Sequence, residues 1–216
     1  MSRIGLVRLA LVAGSLLHLS GGPADSSRAA LPHSSPAFVR PAGALLADDF
    51  SHGLTIWEAD REGVWSVVRG MLRADLPDAK QERSFLYAGS EDWKNYTVDL
   101  DVCGMRGVDK GVVVRVMNGS GLGVDLRGPG YHDVLLHRRE WPMGKSPAIN
   151  GNGVWHHLRV EAVGAQVRVI VNGELKIERG DPRNSRPRGR IALAAYTGGV
   201  GECTVFYDNV VVTPLP

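Results

Sequence analysis

Apolar and polar residues alternate through the C-terminal third of the chain. Between Leu158 and Ile177 the apolar side chains fall on every second position for several residues at a time, which is the period of a half-buried β-strand. The run is interrupted at Gly164 and again at Asn172 and Gly173. Asn-Gly between two alternating segments is typical of a two-residue hairpin turn, because both central residues take positive φ. The pattern therefore predicts consecutive β-hairpins.

The same alternation, broken by Gly, Pro, Asn and Asp, recurs from residue 45 to the last residues, and no segment convincingly indicates a helix. Short strands at this spacing are typical of an all-β domain, either two packed antiparallel sheets or a closed barrel, and we favour the two-sheet sandwich. The longest segment without strand character is 140–153, which predicts a loop that could carry function. The predicted strands are 45–50, 64–68, 70–74, 84–88, 96–103, 111–117, 122–127, 131–138, 154–162, 166–171, 174–178, 190–196 and 203–212.

The first 44 residues have a different composition. Arg3 and Arg8 precede an apolar stretch, and a small-residue site ends at Ala24, so residues 1–24 are predicted to be a signal peptide. An uncleaved membrane anchor is the alternative, but the apolar stretch is shorter than the ~20 residues that a spanning helix needs. Residues 25–44 are rich in Ser, Pro and Ala and are expected to form a disordered spacer.

These boundaries leave residues 45–216 as one sandwich domain, a size that suits a single core. The mature chain is then expected to be secreted, periplasmic or on the cell surface, with no membrane span. The formal net charge of the 216 residues is only +2 and no basic stripe stands out, so the composition argues against a nucleic-acid partner. The oligomeric state stays open.

Two cysteines fit an exported protein. Cys103 ends one predicted strand and Cys203 begins the last one, and antiparallel pairing would place them opposite each other. In that register Asp101 faces Val205. A disulfide here would stabilise the fold by about 2 to 4 kcal/mol in an oxidising compartment, if its geometry is suitable. Two buried free thiols on neighbouring strands are the alternative.

Across residues 47–213 several segments follow one another in a fixed order: ADDFSHGLTIW, GVWSVVRGMLRAD, DWKNYTVDLDV, VWHHLRVEAVGAQVRVIVNGELKIE, GRIALAAY and VFYDNVVV. This order is similar to the concanavalin A-like lectin/glucanase jelly roll and, more narrowly, to bacterial laminin-G-like modules and the 3-keto-disaccharide hydrolase family. The resemblance implies a two-sheet antiparallel jelly-roll sandwich with a concave sheet that holds saccharide, and it covers both binding modules and enzymes.

Strand parity predicts which side chains would point to that concave sheet. If the valines and leucines at alternate positions of strands 111–117, 122–127 and 131–138 face the core, the residues between them share the opposite face. Guanidinium groups and carboxylates suit hydroxyl-rich ligands, because both make directed hydrogen bonds. An ordinary solvated face with cross-strand ion pairs is the alternative. The predicted face residues are Arg115, Asp125, Arg127, Asp133, His137 and Arg139, and all of them except Asp133 are predicted to bind the ligand.

Trp141 is a further candidate for ligand contact. It lies beside Pro142 in the predicted loop, outside the strand pattern that accounts for Trp65, Trp93 and Trp155. A flat ring suits the apolar C–H face of a pyranose.

Candidate catalytic groups follow from the needs of glycoside chemistry, which ordinarily uses two carboxylates. Asp125, Asp133 and Glu140 are the candidate acid and base groups, with His137 as an alternative base. The E-x-D-x-x-E strand motif of jelly-roll glucanases does not occur, and neither does a nucleophile elbow or a phosphate-binding loop.

No cofactor is required by the sequence, but a calcium ion is plausible. Related sandwiches often carry a structural ion near the first and last strands, and the resemblance points to Asp48, Asp49 and Asp208 as ligands. Asp208 would equally suit a hydrogen-bonded strand bend. His156 and His157 are neighbours in a strand and project to opposite faces, so they are not expected to bind one metal together.

Together these observations favour an exported glycan-binding module whose partner is a carbohydrate or polysaccharide. Two alternatives remain: a glycoside hydrolase or lyase of the 3-keto-disaccharide hydrolase type, and a non-catalytic adhesion or scaffold module that binds protein.

Overall fold

The computed structural model describes residues 38–138, 141–181, 183 and 186–216. The predicted signal peptide and most of the predicted spacer lie outside the described residues. Within the described ranges the chain is all-β, and these ranges contain no helix that is long and apolar enough to cross a membrane.

Fifteen strands follow one another along the chain. Their bounds agree with the predicted strands to within a few residues, apart from two additions, β2 and β10. The strands are β1 Leu46–Asp48, β2 Glu58–Ala59, β3 Trp65–Val68, β4 Met71–Leu76, β5 Arg83–Ala88, β6 Tyr96–Arg106, β7 Asp109–Met117, β8 Ser120–Arg127, β9 Asp133–Arg138, β10 Trp141–Pro147, β11 Trp155–Val163, β12 Gln166–Val171, β13 Glu174–Gly180, β14 Arg190–Tyr196 and β15 Cys203–Pro214.

The strands form two antiparallel sheets, which confirms the jelly-roll sandwich. The eight-stranded sheet has the order β13-β12-β11-β6-β15-β4-β3, with β1 also paired to β15. The seven-stranded sheet has the order β10-β9-β8-β7-β14-β5-β2. The order within each sheet departs from the order along the chain, so that neighbouring strands such as β6 and β15 come from distant parts of the sequence.

The core lies between the two sheets and follows from the alternation. Val98, Leu100 and Val102 on β6 and Val112 and Val114 on β7 are all fully buried in it. The intervening residues point to the outer faces, as a two-residue period requires. The predicted Asn-Gly turn is confirmed, because Asn172 and Gly173 both have positive φ, at 52° and 82°.

Tyr207 on β15 crosses this core from the eight-stranded to the seven-stranded sheet. Its fully buried hydroxyl accepts a hydrogen bond from the Gly111 amide at 2.9 Å and donates one to the Ala194 carbonyl at 2.6 Å. Gly111 and Ala194 are directly opposed on β7 and β14. The tyrosine therefore ties the middle of the seven-stranded sheet to the other sheet.

The prediction of a loop over 140–153 is wrong for the first half of this segment, which forms β10. Pro142 and Pro147 hide this strand in the sequence, since proline lacks the amide that a sheet interior needs. β10 is an edge strand, and its pairing with β9 shifts register between Pro142 and Gly144. Edge strands and bulges are the places where a sheet tolerates proline.

The predicted cysteine register is also wrong, although β6 and β15 do pair. Cys103 is opposite Phe206 and Asp101 is opposite Asp208, so the observed pairing is offset by three residues from the predicted one. A shift by an odd number of residues moves a side chain to the other face. Cys203 accordingly lies in the core between the sheets, whereas Cys103 packs with Met71 on the outer face. Both thiols are free and buried.

Candidate functional site

The outer face of the seven-stranded sheet carries three rows of side chains. Directly opposed residues of antiparallel strands share a face, so the register of five neighbouring strands defines each row. From β5 across β14, β7 and β8 to β9, the first row is Arg83, Tyr196, Asp109, Arg127 and Asp133; the second is Phe85, Ala194, Gly111, Asp125 and Leu135; the third is Tyr87, Ala192, Val113, Gly123 and His137.

Two adjoining cavities of about 260 and 360 Å³ follow these rows. They share Arg83, Phe85, Val113 and His137 and form one hollow, which we call the groove. Small residues in the middle of the second and third rows leave its floor low, while Phe85 and His137 stand at its two sides. The first row makes one end strongly polar.

Gly123 is needed for the position of His137. The two residues are directly opposed on β8 and β9, and a Cβ atom at Gly123 would lie only 2.3 Å from Nε2 of His137. The imidazole ring therefore lies over the backbone of β8. Any side chain at position 123 would displace it.

His137 is paired with Asp125, as the parity argument placed them. Nε2 of His137 lies 3.0 Å from Oδ2 of Asp125, and both side chains are mostly buried in the groove. When Nε2 donates its proton to Asp125, a neutral imidazole carries its lone pair on Nδ1. The carboxylate thus fixes both the ring and its tautomer.

Asp109 is the titratable group that sequence reasoning missed. Burial, and then the neighbouring Asp125 carboxylate, raise the pKa of Asp109 to about 7. Its Oδ1 is buried and has no hydrogen-bond partner among the described residues. The signal was present, because Asp109 continues the alternation of Gly111 and Val113 back beyond the predicted start of the strand at 111.

Arg127 and Asp133 form a clamp at the polar end of the groove. Nε and Nη2 of Arg127 donate to the two carboxylate oxygens of Asp133 at 2.6 and 2.8 Å, and Nζ of Lys145 is 3.0 Å from Oδ2. Burial alone would raise the pKa of Asp133, but the hydrogen bonds from Arg127 and Lys145 lower it overall. Asp133 is therefore held as a carboxylate and is poorly suited to donate a proton.

The prediction that Arg115 faces the ligand is wrong. Arg115 is only 1% exposed, and its Nη1 donates to the carbonyls of Gly164 at 2.6 Å and Arg186 at 3.1 Å. It sits in a bulge with φ of 54°, where the pairing of β7 with β8 shifts register. The bulge reverses the parity of the strand end, so that Val116 lines the groove instead.

Three predicted site residues follow His137 along the chain. Arg139 and Glu140 lie outside the described residues. Trp141 is 75% exposed, but it opposes Arg138, whereas Pro142 opposes His137. The register therefore places Pro142, and not Trp141, on the face of His137, and a sugar contact by Trp141 stays a prediction.

The carboxylates proposed for calcium take part in local turns. Asp48 accepts hydrogen bonds from the amide of Phe50 and from the indole of Trp57, at 2.8 and 2.7 Å. Asp49 accepts from Ser51 through both amide and hydroxyl. No group of three His, Cys, Asp or Glu side chains in the described part of the chain is placed to hold a metal ion, and the calcium site stays a prediction.

Asp208 serves the strand bend that was its alternative role. It accepts a hydrogen bond from the amide of Asn209 at 2.8 Å, a residue with φ of 51° at a register shift of β15.

A second histidine–carboxylate assembly lies on the outer face of the eight-stranded sheet. His157 bonds Asp101 at 2.9 Å and Asp99 at 3.2 Å, Arg159 forks onto Asp99 at 2.7 and 3.1 Å, and Asn209 donates to Asp101 at 2.8 Å. We call these five residues the ion-pair network. Hydrogen bonds to Asp101 and Asp99 raise the pKa of His157 to about 9.

His156 is buried, in contrast to the exposed His157, and it opposes Val102 on the core side of β6 whereas His157 opposes Asp101. This confirms that the adjacent histidines project to opposite faces.

Comparison with known proteins gives one family match for this chain. Residues 46–213 match the model of a family described as the 3-keto-alpha-glucoside-1,2-lyase-like domain. No curated protein sequence matches the chain.

Solved structures show the same fold. The carbohydrate-binding module CBM66 from Bacillus subtilis is similar at a TM-score of 0.62 and 16% identity, over 74% of this chain and 97% of that one. A putative glycosyl hydrolase from Parabacteroides distasonis ATCC 8503 is similar at a TM-score of 0.51 and 20% identity, over 74% of this chain and 99% of that one. The Crh5 transglycosylase in complex with NAG is similar at a TM-score of 0.62 and 13% identity, over 84% of this chain and 88% of that one.

Proposed function

The chain belongs to the family of 3-keto-alpha-glucoside-1,2-lyase-like domains, and from this premise we propose that it binds a saccharide in the groove of the seven-stranded sheet. The observation that carries the proposal is the three-row arrangement, in which directed polar groups and apolar surfaces converge on one hollow with a floor of small residues.

Each side of the groove suits a different part of a sugar. Asp125, Arg127 and His137 offer directed donors and acceptors for hydroxyl groups. Phe85 and Val113 offer apolar surface for C–H groups, and this combination is typical of small-ligand sites. The shared fold with a protein named as a carbohydrate-binding module gives further support.

A second candidate function, catalysis by proton transfer, is favoured by Asp109. A carboxyl group with a pKa raised to about 7 stays protonated near neutrality, which is what a general acid requires. It lines the same cavity as the His137–Asp125 pair, so the groove offers an acid and a base together.

The family's name indicates how such a pair would act. In an α-glucoside with a ketone at C3, the carbonyl acidifies the proton on C2. His137, oriented by Asp125, would take that proton; the C1–O bond would break to give a C1–C2 double bond; and Asp109 would give its proton to the departing glycosidic oxygen. One proton is taken and one is given, so that no oxidant or reductant is consumed.

Binding and catalysis are separated by one experiment. The full chain is titrated with methyl α-glucoside, maltose and maltotriose, and it is incubated with the 3-keto forms of the same sugars followed by product analysis. We expect binding in the wild type and a loss of binding in Asp125→Asn, with Glu174→Gln on β13 as a control far from the groove. Binding that is unchanged in Asp125→Asn would place the ligand elsewhere and contradict the proposal.

A further inference from the structure

An exposed aromatic ring lies directly beyond the polar end of the groove. Tyr131 is 53% exposed, and the guanidinium carbon of Arg127 lies 4.4 Å from its ring centroid. Arg127 lines the groove. One face of the ring is therefore packed on a groove residue, while half of the side chain is in contact with solvent.

The support beneath this ring is fixed. The Arg127 guanidinium is held at both ends of its fork by Asp133, which is almost fully buried. Asn150 donates to the backbone carbonyls of both Arg127 and Asp133, at 3.0 and 2.9 Å. An arginine held in this way presents a constant surface to the tyrosine.

The loop that carries the ring is also constrained. The amides of Tyr131 and His132 both donate to the carbonyl of Gly128 at 3.1 Å, and the amide of Ala148 donates to His132 at 3.0 Å. The next residue on that neighbouring loop, Ile149, is one of the most exposed apolar side chains among the described residues. Two connected loops thus present apolar surface at the same end of the groove.

We propose that Tyr131 is a stacking platform for a sugar ring that lies beyond Arg127, outside the groove proper. The inference rests on the proposed saccharide-binding function and adds an outer contact to it. Because the ring is already held by Arg127 and the loop by backbone hydrogen bonds, a sugar stacking on the exposed face orders little additional protein. The platform contacts the apolar C–H face of a pyranose and does not select sugars by the arrangement of their hydroxyl groups.

This platform also accounts for a contrast with Trp141. Trp141 is the more exposed ring, but its register places it on the face opposite to that of His137. Tyr131 is smaller and less exposed, yet it is packed on a residue that lines the groove. Position relative to the groove, and not exposure alone, makes Tyr131 the better candidate.

The test compares ligands of different length on single-residue variants. Isothermal titration calorimetry measures methyl α-glucoside and maltotriose binding to the wild type, Tyr131→Ala, Tyr131→Phe and Trp141→Ala. We expect Tyr131→Ala to weaken maltotriose binding about tenfold, a loss typical of one aromatic contact, and to change methyl α-glucoside binding less than about twofold because one ring fits within the groove. Tyr131→Phe keeps the ring and should bind as the wild type does. Trp141→Ala should weaken maltotriose binding less than Tyr131→Ala does.

The outcomes separate this inference from the function on which it rests. Maltotriose binding that is unaffected by Tyr131→Ala, or an equal loss for both sugars, would overturn the platform and leave the groove in place. A larger loss in Trp141→Ala than in Tyr131→Ala would also overturn it. A wild type that binds neither sugar would overturn both proposals. All variants are checked for an unchanged melting temperature, which is expected because both side chains are largely exposed.

Discussion

The two outer faces of the sandwich each carry a histidine beside aspartates, but the two assemblies are built differently. On the eight-stranded sheet His157 bonds two carboxylates, and these in turn are bonded by Arg159 and Asn209. On the seven-stranded sheet His137 is paired with Asp125, and the nearby Asp109 keeps a buried oxygen without a partner in the described part of the chain.

The comparison shows that the number of hydrogen-bond and charge partners decides, more than the residue types do, whether such a group can exchange protons near neutral pH. In the ion-pair network every carboxylate has a cation or a hydrogen-bond donor, and the imidazolium form of His157 is stabilised to about pH 9, so the histidine has little capacity to exchange protons at neutrality. In the groove, burial of Asp109 beside Asp125 creates a group that titrates near pH 7. Groups with such shifted pKa values are typical of functional sites.

The largest effect is expected from Asp109→Asn. If Asp109 is the general acid, its removal should lower turnover of a 3-keto-α-glucoside at least about 100-fold, while Glu161→Gln on the other face should leave turnover unchanged. In the wild type, turnover should fall as the pH rises through about 7, where Asp109 loses its proton. Initial rates across this range measure both effects. A wild-type rate that rises through pH 7 would contradict the assignment.

A smaller but still clear effect is expected from Gly123→Ala. The added Cβ would meet Nε2 of His137 at 2.3 Å, so the ring must leave its place beside Asp125. Because the ring is the end of a side chain that can rotate, the cost in folding stability should stay below about 1 kcal/mol, and the main effect should be weaker saccharide binding. Gly199→Ala is the matched control, because its Cβ would contact nothing within 4 Å. Equal saccharide binding by the two variants would show that the ring has room.

The ion-pair network should contribute a pH-dependent stability. The pKa of His157 is raised from 6.5 in the unfolded chain to about 9 in the folded one, so its contribution is fully present below pH 6.5 and is lost as the pH rises toward 9. Since half of the side chain is exposed, solvent screening limits the contribution to about 1 kcal/mol. Urea unfolding of the wild type and His157→Gln between pH 6 and 9.5 measures it. A stability difference that grows with pH would contradict the network's role.

The smallest effect is expected from treating the protein with a thiol reductant. Cys103 lies on the face of the ion-pair network and Cys203 lies in the core, so no covalent bond is expected between them. Dithiothreitol should leave the melting temperature unchanged within about 1 °C, because there is no disulfide for it to reduce. Loss of a native disulfide would cost several kcal/mol and would lower the melting temperature clearly. A marked fall on reduction would show that the two thiols are bridged.

Much of the fold could be predicted from the sequence because the alternation is strong and the turns are marked by glycine and asparagine. The same parity placed Asp125, Arg127 and His137 together on one face, as the register shows. Parity failed at Arg115, where a bulge inserts a residue without any trace in the hydrophobic pattern. The cysteine register failed for another reason: β15 pairs with β6 three residues away from the predicted alignment, and the hydrophobic pattern alone does not fix how two distant strands align.

The remaining errors have other physical causes. β10 was missed because its prolines are compatible only with an edge strand, and edge position is decided by the partner strands. Asp109 was missed because the predicted strand began two residues too late. The pKa of Asp109 is raised by burial and then by Asp125 from the neighbouring strand, and neither the burial nor this contact between strands is visible in a linear sequence.

Tyr207 gives the groove a property that neither sheet has alone. Its hydroxyl bonds Gly111 and Ala194, which lie side by side in the floor of the groove. A ligand that pushed β7 away from β14 would have to break hydrogen bonds anchored in the opposite sheet. The floor should therefore resist spreading, and a bound sugar should be accommodated by movements of side chains and rim loops, with the Gly111 amide among the slowest in the protein to exchange its hydrogen with solvent.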